Sequence, residues 1–314
     1  MAHNNVPCIP FVTEYMQKVI LFNTIIFNNF YESFMSSTKC EPNNFCIKTD
    51  TTDTPTFKIL SLNCRSLRRI FFELTFFIEN SILSFDLISL SETWLDGALD
   101  HLFMLNNYSF FNFNRKSKKG GGVAIFVRDS LTAIERLDLV TVTEVCEIVA
   151  IEILQNSPDS KNTIIINLYK PPCSNNVEFL EFIESFLFKI SKEQKNIYFM
   201  GDFNININLE NPTSISLLNT MSSNFLFPTN PLPTRTTLNT STNIDLIFTN
   251  NISSFNGGVI DIDFSDHYPI FLSQKLQTKK NTTFDASQVT FHNTSNKNLM
   301  VFKFALMNKN WMKF

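Results

Sequence analysis

Five β-like runs follow one another between Tyr108 and Tyr169 with no helical pattern between them. They are Tyr108 to Asn114, Val123 to Arg128, Ile134 to Val140, Val145 to Leu154 and Thr163 to Tyr169. On both sides of this stretch, strands alternate with helices. Upstream, Phe57 to Asn63 reads as a strand, and Ser66 is placed to cap a helix. That helix carries Leu67, Ile70, Phe71, Leu74, Phe77 and Ile78 at helical spacing, and the strand Asp86 to Ser91 follows. Downstream, a helix from about Asn176 presents Phe179, Leu180, Ile183, Phe186, Leu187 and Ile190 on one face. The strand Ile197 to Met200, a short helix near Ser214 to Met221, and strands at Asn243 to Thr249, Val259 to Asp263 and Tyr268 to Ser273 complete the pattern. About ten strands and three or four helices in roughly 220 residues predict an α/β sandwich. The long uninterrupted β stretch excludes a purely alternating parallel sheet.

With 44% hydrophobic residues in 314, the chain can bury a large core. Glycine is scarce, at 7, against about 22 at average usage. Each one is therefore expected where the backbone demands it, which singles out Gly120-Gly121-Gly122, Gly201 and Gly257-Gly258. The net charge of −3 excludes a nonspecific polyanion coat, but not a nuclease with a local basic patch. No CxxC pair occurs among the six cysteines, which argues against a zinc site. Reduced thiols and an intracellular location are expected. The longest apolar run, Val19 to Phe30, is broken by Asn23, Asn28 and Asn29 and is too short to span a bilayer. Nothing around it resembles a secretory signal, so no membrane association is expected. Residues 1–56 lack sustained periodicity and are expected to form a poorly ordered leader. After Lys275 the chain turns polar.

Polar and ionisable residues recur where strands end. Asn63, Glu92 and Tyr169 each close or follow a strand, and Gly201-Asp202-Phe203-Asn204 follows the apolar run Ile197 to Met200. Asp245 lies within a strand, and Asp266-His267 opens the last one. Taken singly, each has an ordinary reading: a turn residue, a solvated carboxylate, a satisfied histidine. Strands that run the same way bring their ends to one rim, where ligands bind. Carboxylates with amide oxygens suit a hard divalent cation such as Mg²⁺. A histidine and a tyrosine add donors for a phosphate, which is the inventory of metal-assisted phosphodiester hydrolysis.

The segments Leu62-Asn63-Cys64-Arg65-Ser66-Leu67, Ser91-Glu92-Thr93-Trp94-Leu95, Gly121-Gly122-Val123-Ala124-Ile125, Tyr169-Lys170-Pro171-Pro172, Gly201-Asp202-Phe203-Asn204, Ile244-Asp245-Leu246 and Ser265-Asp266-His267 occur in that order. Together they resemble the endonuclease/exonuclease/phosphatase superfamily. More narrowly, they are similar to the apurinic-type endonuclease domain of non-LTR, LINE-like retrotransposons of the CR1 or jockey kind. The resemblance covers about residues 57–275. It implies a DNase I-like fold, a four-layer sandwich of two packed mixed β-sheets flanked by helices. It implies Mg²⁺, with Mn²⁺ as a substitute, held by Glu92 with Asn63 and with Asp266 nearby. Asp202 would orient or deprotonate the attacking water, and Asn204 would hold the phosphate or Asp202. His267 would stabilise charge on the scissile phosphate, Asp245 would fix the His267 tautomer, and Tyr169 would donate to a phosphate oxygen. Thr234, in Pro233-Thr234-Arg235, is expected at the substrate, as are Arg115 and Lys116 of the basic loop at duplex DNA phosphates. Arg65, Arg68 and Arg69 are further phosphate candidates.

The implied activity is a nick in duplex DNA that leaves a 3′-hydroxyl and a 5′-phosphate. In an intact element that hydroxyl primes a reverse transcriptase domain, and nuclear action is expected. Repair members of the superfamily carry an asparagine shortly after the active-site tyrosine, where this chain has Pro171-Pro172. That departure favours the mobile-element branch. Residues 276–314 resemble the linker toward a reverse transcriptase that this chain lacks. Two alternatives stay open: a repair-type endonuclease or phosphatase of the same superfamily, and a non-catalytic remnant that binds nucleic acid.

Overall fold

A computed structural model describes residues 10–20, 25–42, 56–81, 84–98, 100–115, 120–155 and 160–275. Two mixed sheets make up most of it. In chain numbering, the first runs Thr38–Cys40 (β1), Phe255–Ile260 (β15), Ile270–Lys275 (β16), Thr56–Asn63 (β2), Leu87–Ser91 (β3), Val123–Arg128 (β5) and Tyr108–Phe113 (β4). The second runs Phe227–Pro228 (β11), Asp245–Thr249 (β14), Asn196–Asp202 (β10), Thr163–Tyr169 (β9), Glu147–Ile153 (β8) and Ala133–Glu135 (β6), and Thr141–Val142 (β7) also pairs with β8. A hairpin of Arg235–Thr236 (β12) and Ser241–Thr242 (β13) stands apart. The helices are Phe11–Ile20 (α1), Ile25–Met35 (α2), Leu67–Asn80 (α3), Asn176–Ser191 (α4) and Pro212–Ser223 (α5).

The central strands are apolar on both faces because both faces are covered. In β2, Phe57 and Ile59 enter the core between the sheets, while Leu60 and Leu62 join Leu67, Ile70 and Leu74 of α3. In β5, Val123, Ile125 and Val127 face inward, and Ala124 and Phe126 face the α3 layer. Phe179, Ile183 and Leu187 of α4 and Leu217, Leu218 and Met221 of α5 cover the second sheet. Burying each such side chain contributes about 1.5–3 kcal/mol. A polar link also crosses between the sheets. Asn167, buried in β9, donates to Leu90 O at 2.8 Å and Ala124 O at 3.0 Å.

Pairing directions decide where the chemistry sits. β2 and β3 are parallel and bring Asn63 beside Ser91. β9 and β10 are parallel and bring Tyr169 beside Asp202. β14 is antiparallel to β10 and sets Asp245 opposite Asp202. β16 is antiparallel to β2, so the segment entering it reaches the Asn63 end.

Three expectations are corrected here. Part of the expected poorly ordered leader is built into the fold. Val12, Met16, Phe30 and Phe34 are fully buried in the main core, and β1 pairs in parallel with β15. Helices this short are marginal alone and draw their stability from packing, which local periodicity does not show. Residues 1–9, 21–24 and 43–55 of that stretch lie outside the described residues. The run Ile134 to Val140 is strand only through Glu135. The chain then turns at Arg136, whose guanidinium is drawn to Asp138, Glu152 and Glu193. Ser66 sits at the start of α3 with φ of 95° and makes no side-chain cap, its own N–H going to Glu92 O at 2.9 Å. Lys116, like the linker expected over 276–314, lies outside the described residues.

Candidate active site

Asn63 is the hub of the rim. Its side-chain amide Nδ2 donates to Glu92 Oε1 at 2.9 Å and to Asp202 Oδ2 at 2.8 Å. It thereby joins the ends of the two sheets. Asp202 is buried and takes two further hydrogen bonds from Asn204, which is itself tied to Lys170. The Asn204 backbone N–H reaches Oδ1 at 2.8 Å, Asn204 Nδ2 reaches Oδ2 at 3.1 Å, and the same Nδ2 donates to Lys170 O at 2.7 Å. Asn204 therefore holds Asp202. Gly201 makes this turn possible. Its φ is 127°, and a Cβ there would collide with the Leu168 carbonyl of β9.

The second half of the site is a relay behind His267. His267 Nδ1 and Asp245 Oδ2 lie 2.7 Å apart, both groups buried. Ser265 Oγ donates to Asn63 O at 2.6 Å and accepts the His267 backbone N–H at 3.1 Å, which pins the histidine loop to the end of β2. One potential ligand atom each from Asp202, Asp245 and His267 lies within 4.8 Å of the others.

The buried groups at this rim shift one another's proton affinity. Burial, and then the Asp245 charge, push the Asp202 carboxyl well above the usual carboxylate range, against His267, Asn204 and Asn63. Burial disfavours charge on His267. The Asp245 carboxylate overrides this, with help from Asp202 and Asp266, and raises its pKa to about 9. Burial and the charges of Glu92, Asp202 and Glu147 push the Tyr169 hydroxyl up, so it stays a proton donor. Asp245 Oδ1 is buried without a hydrogen-bond partner among the described residues. Glu92 and Asp202 thus take their hydrogen bonds from the neutral donors Asn63, Asn204 and Trp94, and Asp245 offers a free Oδ1. That donor set fits a hard divalent cation.

Other expected positions fall elsewhere. Thr234 does not face a substrate. It is fully buried, and its hydroxyl donates to Asp245 Oδ2 at 2.7 Å. Asp266 is not free to join a cation site through Oδ2, which accepts Arg65 Nη1 at 2.9 Å and Arg235 Nη2 at 2.7 Å. Burial opposes this ionisation, and the two guanidiniums still hold its carboxyl down to about 2. Arg115 turns inward to buried Glu147 instead of outward to phosphate. Three residues were not anticipated at the rim. Arg235 clamps Asp266, buried Lys170 lies within the field of Asp202, and Trp94 donates to Glu92. Arg235 follows Thr234 directly, and Lys170 follows Tyr169, so adjacency was their only signal. Beside the rim opens a cleft of about 700 Å³, lined by Arg65, Ser66, Arg69, Trp94, Ser265 and Asp266. Arg65, Ser66, Glu92, Trp94 and Asn204 all have positive φ, and backbone strain of this kind gathers at functional sites.

Residues 60–267 match the Endonuclease/Exonuclease/phosphatase family. The chain belongs to that family. Solved structures of the same fold include the endonuclease domain of TRAS1, a telomere-specific non-LTR retrotransposon. It has 19% identity and a TM-score of 0.56 over 71% of this chain and 100% of that one. The Xenopus laevis APE2 catalytic domain has 18% identity and a TM-score of 0.55, covering 71% of this chain and 94% of its own. The AP endonuclease LMAP from Leishmania major has 15% identity and a TM-score of 0.55, covering 83% and 98%. No curated protein matches the chain. Endonuclease/exonuclease/phosphatase members of this DNase I-like fold are hydrolytic nucleases and phosphodiesterases, and this chain carries their two mixed sheets flanked by helices.

Proposed function

We propose that this family member is a Mg²⁺-dependent endonuclease that nicks duplex DNA, leaving a 3′-hydroxyl and a 5′-phosphate. The observation that carries the reading is Asn63 joined to both Glu92 and Asp202, beside the His267–Asp245 pair. Glu92 and Asn63 would hold the ion, with Mn²⁺ as a substitute. When bound, the ion would act as a Lewis acid on the phosphodiester.

The chain's own groups do the rest. Asp202, fixed by Asn63 and Asn204, accepts the proton of the attacking water, and its raised proton affinity suits a general base. His267, kept protonated by Asp245, donates to a non-bridging phosphate oxygen as charge builds there. Thr234 holds Asp245 in line with the imidazole. Tyr169 donates a second hydrogen bond to the phosphate. Residues 57–275 form the catalytic domain in this reading. The likeness to the retrotransposon endonuclease fold and Pro171-Pro172 support an element that works in the nucleus beside a reverse transcriptase domain. Among the described residues no helix is long and apolar enough to cross a membrane.

Supercoiled plasmid with Mg²⁺ tests the reading. The parent should yield open circles that DNA ligase reseals without prior end repair, which requires a 3′-hydroxyl beside a 5′-phosphate. Asp202→Ala and His267→Ala should each nick about 10²–10⁴-fold more slowly. No Mg²⁺-dependent nicking, or variants as active as the parent, would end the proposal. Preference for an abasic duplex over intact DNA would move it to the repair branch.

A further inference from the structure

We propose that Trp94 is a positioning residue for the Glu92 carboxylate, held in place by the three-glycine loop 120–122. The inference rests on the reading of Glu92 as a cation ligand.

Each oxygen of Glu92 is held by its own donor. Asn63 Nδ2 donates to Oε1 at 2.9 Å, and the Trp94 indole Nε1–H donates to Oε2 at 3.1 Å. A carboxylate oxygen has two acceptor directions, so one hydrogen bond on each leaves one free on each for a cation. A single donor would leave a half-buried glutamate free to rotate about its last torsion. Two donors fix the plane of the group before the ion arrives. Residues two apart on an extended strand share a face, with their Cα atoms held about 6.8 Å apart. Glu92 and Trp94 instead take φ of 53° and 54°, which curls the segment back on itself.

The glycine loop secures that curl. Thr93 N–H donates to Gly122 O at 3.1 Å, and Trp94 N–H to Gly121 O at 2.9 Å. Gly122, with φ of 88°, lies so close that a Cβ there would collide with Thr93 Oγ1. Beneath it, buried Glu147 accepts the Gly122 N–H at 2.6 Å and pairs with Arg115. A Cβ on Gly121 would come within 2.6 Å of Glu147 Oε1. In a chain with only 7 glycines, three in a row at this point have a physical reason. Arg115 and Glu147 brace the loop, the loop holds residues 93 and 94, and Trp94 sets Glu92.

Trp94→Phe removes the N–H and keeps an aromatic ring at a residue 37% exposed, so the fold should tolerate it. Calorimetric titration with Mn²⁺ alone, without DNA, should show affinity about 10-fold weaker than the parent, as loss of a group orienting a ligand does. In plasmid nicking, the Mg²⁺ needed for half-maximal rate should rise by a similar factor, while the rate at saturating Mg²⁺ stays parental. Gly122→Ala should show the same metal defect through displacement of residues 93 and 94. If that variant fails to fold, Trp94→Phe still decides. Parental Mn²⁺ affinity in Trp94→Phe overturns the inference and leaves the nuclease reading standing. Unchanged affinity with a slower saturated rate also overturns it and moves Trp94 to the substrate. A parent that binds no Mn²⁺ overturns both.

Discussion

Glu147, Tyr169 and Asp202 stand at one end of β8, β9 and β10, and Glu152, Thr163 and Asn196 mark the other. Both ends gather acidic side chains, and the two groups are treated in opposite ways. At the far end Glu152 accepts Lys195 Nζ at 2.7 Å and Arg136 Nη1 at 2.9 Å. Glu193 accepts Arg136 Nη2 at 2.8 Å and Lys195 Nζ at 2.7 Å. Charges there balance, and hydrogen bonds from the cations hold Glu152 low despite its burial. At the rim, carboxylates gather around amide donors, and Asp202 is pushed up. The far end spends its polar groups on cohesion. The rim holds a buried carboxyl of raised proton affinity among neutral donors, the kind of perturbation that clusters at functional sites and that the proposed function uses.

The largest effect that separates the two ends is on turnover. Asp202→Ala should slow nicking by about 10²–10⁴-fold, and Glu152→Gln should leave the rate parental. A Glu152→Gln variant that fails to nick while folded would abolish the distinction. Metal comes next. Saturating Mg²⁺ should stabilise the parent and Glu152→Gln alike, by about 2.7 kcal/mol at a hundredfold excess over Kd, read as a higher melting temperature. Glu92→Gln should lose most of that increment. An equal increment in all three would place the ion somewhere other than Glu92.

Stability reverses the ranking. Glu152→Gln should cost about 1–3 kcal/mol, because Arg136 and Lys195 lose a charged partner whose side chain is only 6% exposed. Urea unfolding measures it. A loss under about 0.5 kcal/mol would make the far-end network ordinary surface charge.

Most of the rim was legible because strand ends are. Asn63, Glu92, Asp202, Asp245 and His267 interrupt apolar runs, and shared strand direction brings them together. What each one bonds to was not legible. Thr234 is eleven residues from Asp245 in sequence and touches it only because β14 turns back to that point. Asp266 reads as one more ligand until Arg65 arrives from 201 residues away. Asn167 carried a signal that went unread: a lone amide between Ile164-Ile165-Ile166 and Leu168 must find partners, and it finds them in the other sheet. The far-end network was hidden for the opposite reason. Arg136 and Asp138 alternate with Leu137 and Leu139 as a strand would, and only the contacts of Arg136 turn the chain away.

The smallest effect tests whether exposure governs the far end. Asp138 is half exposed and receives both Arg136 Nε at 2.8 Å and Arg136 Nη2 at 2.9 Å. Those hydrogen bonds hold its carboxyl down to about 2. A carboxylate depressed in the folded state stabilises above its unfolded pKa, and the contribution is lost as pH falls toward the folded value. Asp138→Asn should therefore lower the melting temperature slightly at neutral pH, by the equivalent of about 0–1 kcal/mol once solvent screening is counted. The gap should close between roughly pH 4 and pH 2. It should also shrink in 1 M salt, where screening acts over about 3 Å. Glu152, shielded from solvent, should keep its effect at that salt concentration. If salt erases both effects equally, burial is not what distinguishes the two carboxylates, and the far end works as one solvated patch.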